Sequence, residues 1–200
     1  MSLPNFALMK DQPDLLLDWL DNNILTAAAL NNGGNNDPHW VTIIPKPLAT
    51  GLSFTDEAID VYELTTKKAN EDNGMKSYIC NYSQGDVHQQ NIDAHADYCF
   101  TANMNGCTFA IGPSVDDQIT VAHANAGGKP DDQRTQISNV FGGLGGLKLL
   151  EPAMYRKLAP NNNLQATTFG IRTGENWDFY FQSYEPRGQG TYKLYTVAKI

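Results

Sequence analysis

The sequence predicts a single α+β domain, mostly antiparallel or mixed β-sheets forming a sandwich, flanked by a few helices and spanning residues 1–200. Three observations predict it. Two hundred residues is one domain's length and enough to bury a real core. Short apolar runs with a period of two recur between clusters of Gly, Pro, Asn and Asp. One segment near the start has helical spacing instead, with Leu16, Trp19, Leu20 and Ile24 forming an apolar stripe.

That helix is expected over Pro13 to Leu30, with Asp11 or Gln12 as cap, Pro13 at the first helical position and Asp14 at the positive helix end. The run from Asn31 to Pro38 stops it and reads as a loop. Trp40 to Ile44 follows as a short strand ended by Pro45 and Pro47. Ala58 to Leu64 fits a strand or a helix, since Thr55 to Ala58 resembles a weak helix start. Met75 to Tyr82, Tyr98 to Ala102, Cys107 to Ile111 and Ile119 to His123 all read as strands. Lys148 to Leu158 is expected to be helical with Pro152 in its first turn. Leu164 to Thr173, Trp177 to Tyr184 and Tyr192 to Ala198 read as a three-stranded meander, with turns at Gly174 to Asn176 and Pro186 to Gly190. There is no internal repeat.

Composition removes several function classes. A net charge of −8 argues against nucleic acid as a partner, because phosphate binding needs clustered Lys and Arg. No apolar run approaches a membrane span, so no membrane partner is expected. Met1 to Lys10 lacks the basic start and long apolar stretch of a secretory signal. Without a signal peptide, Cys80, Cys99 and Cys107 are expected as free thiols in a reducing compartment. The expected location is the producer's cytoplasm, or a target cell's cytosol reached by a non-classical route. Phe141 to Leu147 is glycine-rich but lacks the Gly-Lys-Ser/Thr ending of a phosphate loop. His39, His88, His95 and His123 share no zinc spacing with one another or with Cys, so neither a metal nor a cofactor is expected. His39 reads as a turn residue, and His88 and His95 as solvated loop residues among Asp and Gln.

Cys80 and Cys99 lie in strand-like runs and read as inert core thiols. Cys107 has a different setting. Asn105-Gly106 marks a tight turn, and Cys107 begins the apolar strand that follows. A thiol there stands at the rim of a sheet, where its own N–H and that of Gly106 can face an oxyanion. If the next strand returns in a hairpin around Gly112 to Asp117, its far end brings His123 beside Cys107. That is the pairing a thiol nucleophile requires. Chance core contact between the two remains the plain alternative.

Met104-Asn105-Gly106-Cys107, followed by a strand ending in Ala122-His123 and preceded by Thr101, resembles the cysteine-dependent glutamine deamidase toxins. These are the catalytic domain of the cytotoxic necrotizing factors and the Burkholderia lethal factor. The family's turn reads Leu-Ser-Gly-Cys, so Asn105 stands where the family has Ser. Thr101 matches the offset of a family Thr, and the specific match covers about residues 100–126. The resemblance implies hydrolysis of a glutamine side-chain amide by Cys107 and His123, with Thr101 as orienter or else an ordinary β-branched strand residue. By their own chemistry the Gly106 and Cys107 amides, helped by Asn125, can stabilise the oxyanion. Asn125, on the same strand face as His123, is the other candidate orienter. The implied partner is a target protein bearing a reactive glutamine, such as a host GTPase or translation factor, acted on by a monomer without a cofactor. Two other functions use the same residues: a transglutaminase or thiol protease, and a non-catalytic β-sandwich binding domain.

Overall fold

The computed structural model describes residues 12–30, 36–67, 74–127, 129–156 and 163–200. Much of the expected loop at Asn31 to Pro38, and the end of the expected helix beyond residue 156, lie outside these. The order is α1 (Pro13–Asp21), β1 (Asn23–Ala29), β2 (His39–Pro45), β3 (Thr50–Leu52), β4 (Ala58–Lys67), β5 (Met75–Cys80), β6 (Val87–Ile92), β7 (Tyr98–Thr101), β8 (Thr108–Val115) and β9 (Gln118–Ala124). It continues with α2 (Pro130–Phe141), β10 (Lys148–Leu150), α3 (Pro152–Tyr155), β11 (Gln165–Thr173), β12 (Asn176–Gly188) and β13 (Thr191–Lys199).

The expected sandwich is replaced by a barrel. The larger sheet runs β1-β4-β2-β5-β7-β11-β12-β13-β3, and β3 pairs back onto β4, closing eight strands into a ring. Both parallel and antiparallel pairs occur, β5 lying parallel to β7 and β3 parallel to β13. Closure turns the apolar side chains of alternate positions inward: Val41, Ile43, Leu64, Met75, Ile79, Phe100, Phe169, Ile171 and Tyr180 form one core. Leu16 and Leu20 of α1 join it.

The leading helix is shorter than its apolar spacing predicts. Two side-chain amides end it, Asn22 Nδ2 donating to Asp18 O at 2.7 Å and Asn23 Nδ2 to Trp19 O at 2.7 Å. The alanine-rich stretch that follows becomes a strand because β4 offers it a parallel ladder, Ile24 opposite Val61 and Thr26 opposite Glu63. Its other edge is met by side chains. Leu25 N–H donates to Gln182 Oε1 and Ala27 N–H to Asn103 Oδ1, each at 2.7 Å. Tertiary pairing overrides helix propensity here.

A second sheet, β10-β8-β9-β6, packs face to face on the barrel wall. Ile92, Phe109, Ile111, Ile119 and Val121 meet Tyr78, Cys80, Cys99, Phe179 and Phe181 in a second core. The sheet's opposite face, with Ala110, Ala122 and Ala124, packs on Ile137 of α2. So Lys148–Leu150 is a strand where the sequence predicts helix, and only Pro152–Tyr155 turns helical. His39 and His88 lie on strands β2 and β6, not in a turn and a loop.

Candidate functional site

Strands β8 and β9 form the hairpin that the sequence predicts, with Thr108 opposite Ala124 and Phe109 opposite His123. Its turn is tighter than the Gly112 to Asp117 loop: Val115 pairs with Gln118, and Asp116 and Asp117 carry φ of 49° and 61°. Two left-handed residues in a two-residue turn match the twist of the strands. A register shift between Ile111 and Ser114 absorbs the extra residues around Pro113.

The register fixes the faces. Thr108 donates its hydroxyl hydrogen to Gln133 Oε1 of α2 at 2.6 Å, so Thr108 lies on the helix side. Cys107 and Phe109 share the barrel-facing core, and His123, opposite Phe109, lies on that same side. Cys107 and His123 therefore occupy one face and one end of the hairpin, on a diagonal across the strand pair. Diagonal neighbours stand about 7–8 Å apart at Cα, within reach of long or aromatic side chains.

Both groups are buried, Cys107 5% and His123 0% exposed. Cys107 is thus a core residue and not the rim residue that the turn suggests. Neither nitrogen of the His123 ring has a hydrogen-bond partner among the described residues, the Cys107 sulfur included. The ring lies 6.0 Å, centroid to centroid, from Tyr82, and directly opposite His88 across β6–β9. Burial pulls its pKa down to about 4; His88 adds to this, and the backbone of Cys80 and Asn81 opposes it without closing a hydrogen bond. Burial also pushes the Cys107 thiol up, against the backbone of Asn105 and the charge of Arg156. The resting pair is a neutral thiol and a neutral imidazole.

The other three predicted residues are placed as follows. Thr101 is buried in β7, and its hydroxyl accepts from Thr168 Oγ1 at 2.8 Å and Thr168 N at 3.3 Å. It makes no hydrogen bond to His123, but it pairs in register with Cys80, whose backbone faces the ring. The Gly106 N–H donates to Tyr155 Oη at 2.8 Å, so it is engaged with protein. Asn125 follows β9, its N–H donating to Asp86 O at 3.0 Å, one residue beyond the Thr108–Ala124 pair and opposite Cys107 by extension of the register.

Sequence reasoning missed the groups that hold the loop from β7 to β8, which residues of five other elements pin almost position by position. Asn103 Oδ1 accepts from Tyr184 Oη at 2.9 Å besides Ala27 N–H. Met104 exchanges both backbone hydrogen bonds with Ala166, at 2.7 and 2.9 Å. Asn105 Oδ1 accepts from Arg156 Nη2 at 2.5 Å. Gly106 O accepts from Gln133 Nε2 at 2.7 Å, and Tyr155 Oη donates to Cys107 O at 3.0 Å. Gly106 itself has φ of 88°, which favours glycine, and a Cβ there would sit 2.8 Å from Arg156 Nη2. A loop held this way is preorganised, the condition for a working site. Tyr155 and Arg156 lie 48 and 51 residues from their loop partners, and no local motif signals such a contact.

Cys80 and Cys99 are fully buried with thiols pushed well up by desolvation, and Cys80 Sγ donates to His88 O at 3.8 Å. Cys80→Ala and Cys99→Ala are each expected to lower stability by about 1–2 kcal/mol while sparing any activity of Cys107. Urea unfolding and turnover, measured on the same samples, check this. Abolished turnover in a folded variant would mean that the wrong cysteine has been chosen.

A cleft of about 620 Å³ lies at this end of the molecule, lined by Asn81, Tyr82, Gln84, Asn103 and the end of β1. Tyr82, half exposed, is the one lining residue in ring contact with His123. Among the described residues no group of three or more His, Cys, Asp or Glu could hold a metal, and no helix is long and apolar enough to cross a membrane. No protein-family model matches the chain, and no curated protein sequence does. Among solved structures it is similar to the C-terminal domain of CNFy from Yersinia pseudotuberculosis, over 98% of this chain and 99% of that chain, at 8% identity and a TM-score of 0.41. A likeness that distant informs neither the chemistry nor the site residues.

Proposed function

We propose that this protein hydrolyses a glutamine side-chain amide in a target protein, with Cys107 as nucleophile and His123 as base. The observation that carries the reading is the β8–β9 register, which sets the two residues on one face at one end of a hairpin. The preorganised Asn103–Cys107 loop supports it. Because thiol and imidazole are both neutral at rest, proton transfer accompanies attack; no thiolate–imidazolium pair precedes it. The sulfur attacks the carboxamide carbon while a nitrogen of His123 takes the thiol proton. The Cys107 N–H and the Asn125 side chain face the developing oxyanion, and the Gly106 N–H joins them only by leaving Tyr155. Collapse of the tetrahedral species breaks the C–N bond, and ammonia departs with the proton from His123. Water, deprotonated by His123, then cleaves the thioester to glutamate and free Cys107. Thr101 acts at one remove, holding β7 to β11 beneath the Cys80 backbone that faces the ring.

Closing the pair requires the sulfur and the ring to approach on substrate binding, as catalytic hydrogen bonds commonly do. The test is mass spectrometry of a host-cell extract incubated with the protein, searching for Gln-to-Glu conversions. A recurrent converted site supports the reading, and none at any dose removes it.

The missing hydrogen bond favours a second reading, a non-catalytic binding barrel in which Cys107 and His123 are core neighbours. Alkylation separates the two. A catalytic Cys107 reacts with iodoacetamide faster than Cys80 or Cys99, whereas three equally sluggish thiols would leave the binding barrel.

A further inference from the structure

We propose that Arg156 is a positioning residue for Cys107, its guanidinium being the cation held against the Asn105–Gly106 turn that leads into the nucleophile. The inference rests on the amidohydrolase reading for its purpose, but its geometry is independent. The guanidinium lies against Gly106: a Cβ there would be 2.8, 3.1 and 3.2 Å from Nη2, Cζ and Nη1. The absence of a Cβ at Gly106 lets the guanidinium come this close to the residue that precedes the cysteine. Asn105 Oδ1 anchors Nη2 at 2.5 Å, which holds the fork over the turn. The single N–H on Nε is buried and has no acceptor among the described residues.

The placement has a chemical consequence. Cys107 is buried in an apolar cluster with Met104, Phe109 and Tyr155, an environment that opposes a thiolate. The polar and titratable groups facing this corner are few: the Tyr155 hydroxyl from α3, Gln133 and Thr108 at the α2 side, His123 across the hairpin, and Arg156 just after α3. Tyr155 is held neutral by burial, and His123 is neutral near pH 7. Arg156 is therefore the standing positive charge of this corner among the described residues. The thiol's side of this corner is apolar and buried, where a charge counts for more, while the Arg156–Asn105 bond lies on the solvent side. As negative charge grows on sulfur and then on the amide oxygen, the guanidinium is already in place and needs no reorganisation.

The test is the ionisation of Cys107 itself, read from the ¹³Cβ shift of labelled cysteine across a pH titration, with Cys80 and Cys99 as internal references. Arg156→Gln removes the charge and keeps a donor for Asn105, whereas Arg156→Lys keeps the charge. The Cys107 pKa is expected to rise by about one unit in Arg156→Gln and to stay within about a third of a unit of wild type in Arg156→Lys. Amide hydrolysis should fall about tenfold or more in the first and recover most of the way in the second. An unchanged Cys107 pKa in Arg156→Gln would overturn the proposal, because a merely structural Arg156 leaves thiol ionisation where it was. If Arg156→Gln fails to fold, Asn105→Ala, which removes only the anchor, carries the test. A smaller rise supports the role, and no change ends it. Wild-type protein that hydrolyses no amide, with the pKa rise intact, would remove the deamidase reading and leave the Arg156 assignment standing.

Discussion

Cys107→Ala is expected to reduce Gln-to-Glu conversion about a thousandfold or more, to the background of the assay. No other described side chain at this end of the hairpin can form the thioester, since Cys80 and Cys99 are fully buried with strongly raised thiols. The folding cost should be modest and not zero. Cys107 belongs to the core beside Met104 and Phe109, so losing its sulfur leaves a small void worth about 1 kcal/mol. Cys107→Ser should be as inactive, because a buried hydroxyl is a far weaker nucleophile toward an amide than a thiol, with only a neutral imidazole as base. Circular dichroism and urea unfolding verify the fold, and peptide mass spectrometry reads the conversion. Conversion retained in either variant would take the nucleophile away from Cys107 and the mechanism with it.

The hairpin was legible because its cues are local. Asn-Gly before an apolar run, and an Asp pair before the next, specify turns through backbone conformations that few residues tolerate. Alternation from Phe109 to Val121 then assigns faces, and the Cys107–His123 diagonal follows from counting by two. What stayed hidden is long-range. The apolar stripe from Leu16 to Ile24 is real, yet Asn22 and Asn23 end the helix, and pairing with β4 converts the rest to strand. Alternating strands bury one face equally well in a sandwich or a barrel. Here closure comes from three residues, Thr50–Leu52, which bridge β13 and β4 in a strand too short to read. Pro130–Phe141 carries few apolar residues: Ile137 and the amide of Gln133 are buried, with Val140 and Phe141 packed beside them. No apolar pattern marks such a helix. The same holds for Tyr155 and Arg156, which reach the turn through the tertiary fold alone. So the placing of Cys107 and His123 on one end of a hairpin was readable from the sequence, and their burial and the groups around the turn were not.

Acid is expected to remove about 2–3 kcal/mol of stability between pH 6.5 and pH 4 through His123 alone. The sign follows from protons bound. In the unfolded chain the ring takes its proton at its ordinary value of 6.5, whereas in the folded protein it does so only near 4. Between those values the unfolded state holds more protons, so stability rises with pH there. It is complete above about 6.5 and lost as pH falls towards 4. A displacement of that size corresponds to roughly 3 kcal/mol at about 1.4 kcal/mol per pH unit. The physical cause is that protonation would place a cation in a fully buried site where the Cys80 and Asn81 backbone only partly offsets the lost hydration, opposite His88, whose own pKa burial also lowers. Carboxylates such as Asp93 and Glu151, held down by their partners, add loss in the lower part of this range, so the comparison must be differential. His123→Gln cannot titrate and should lose about 2–3 kcal/mol less than wild type between pH 7 and pH 4, by urea unfolding at each pH. Its absolute stability at pH 7 is not the readout; the slope is. Parallel curves for the two proteins would mean that His123 protonates freely in the folded state. The ring would then be open to water, and the buried neutral base that the mechanism uses would not exist.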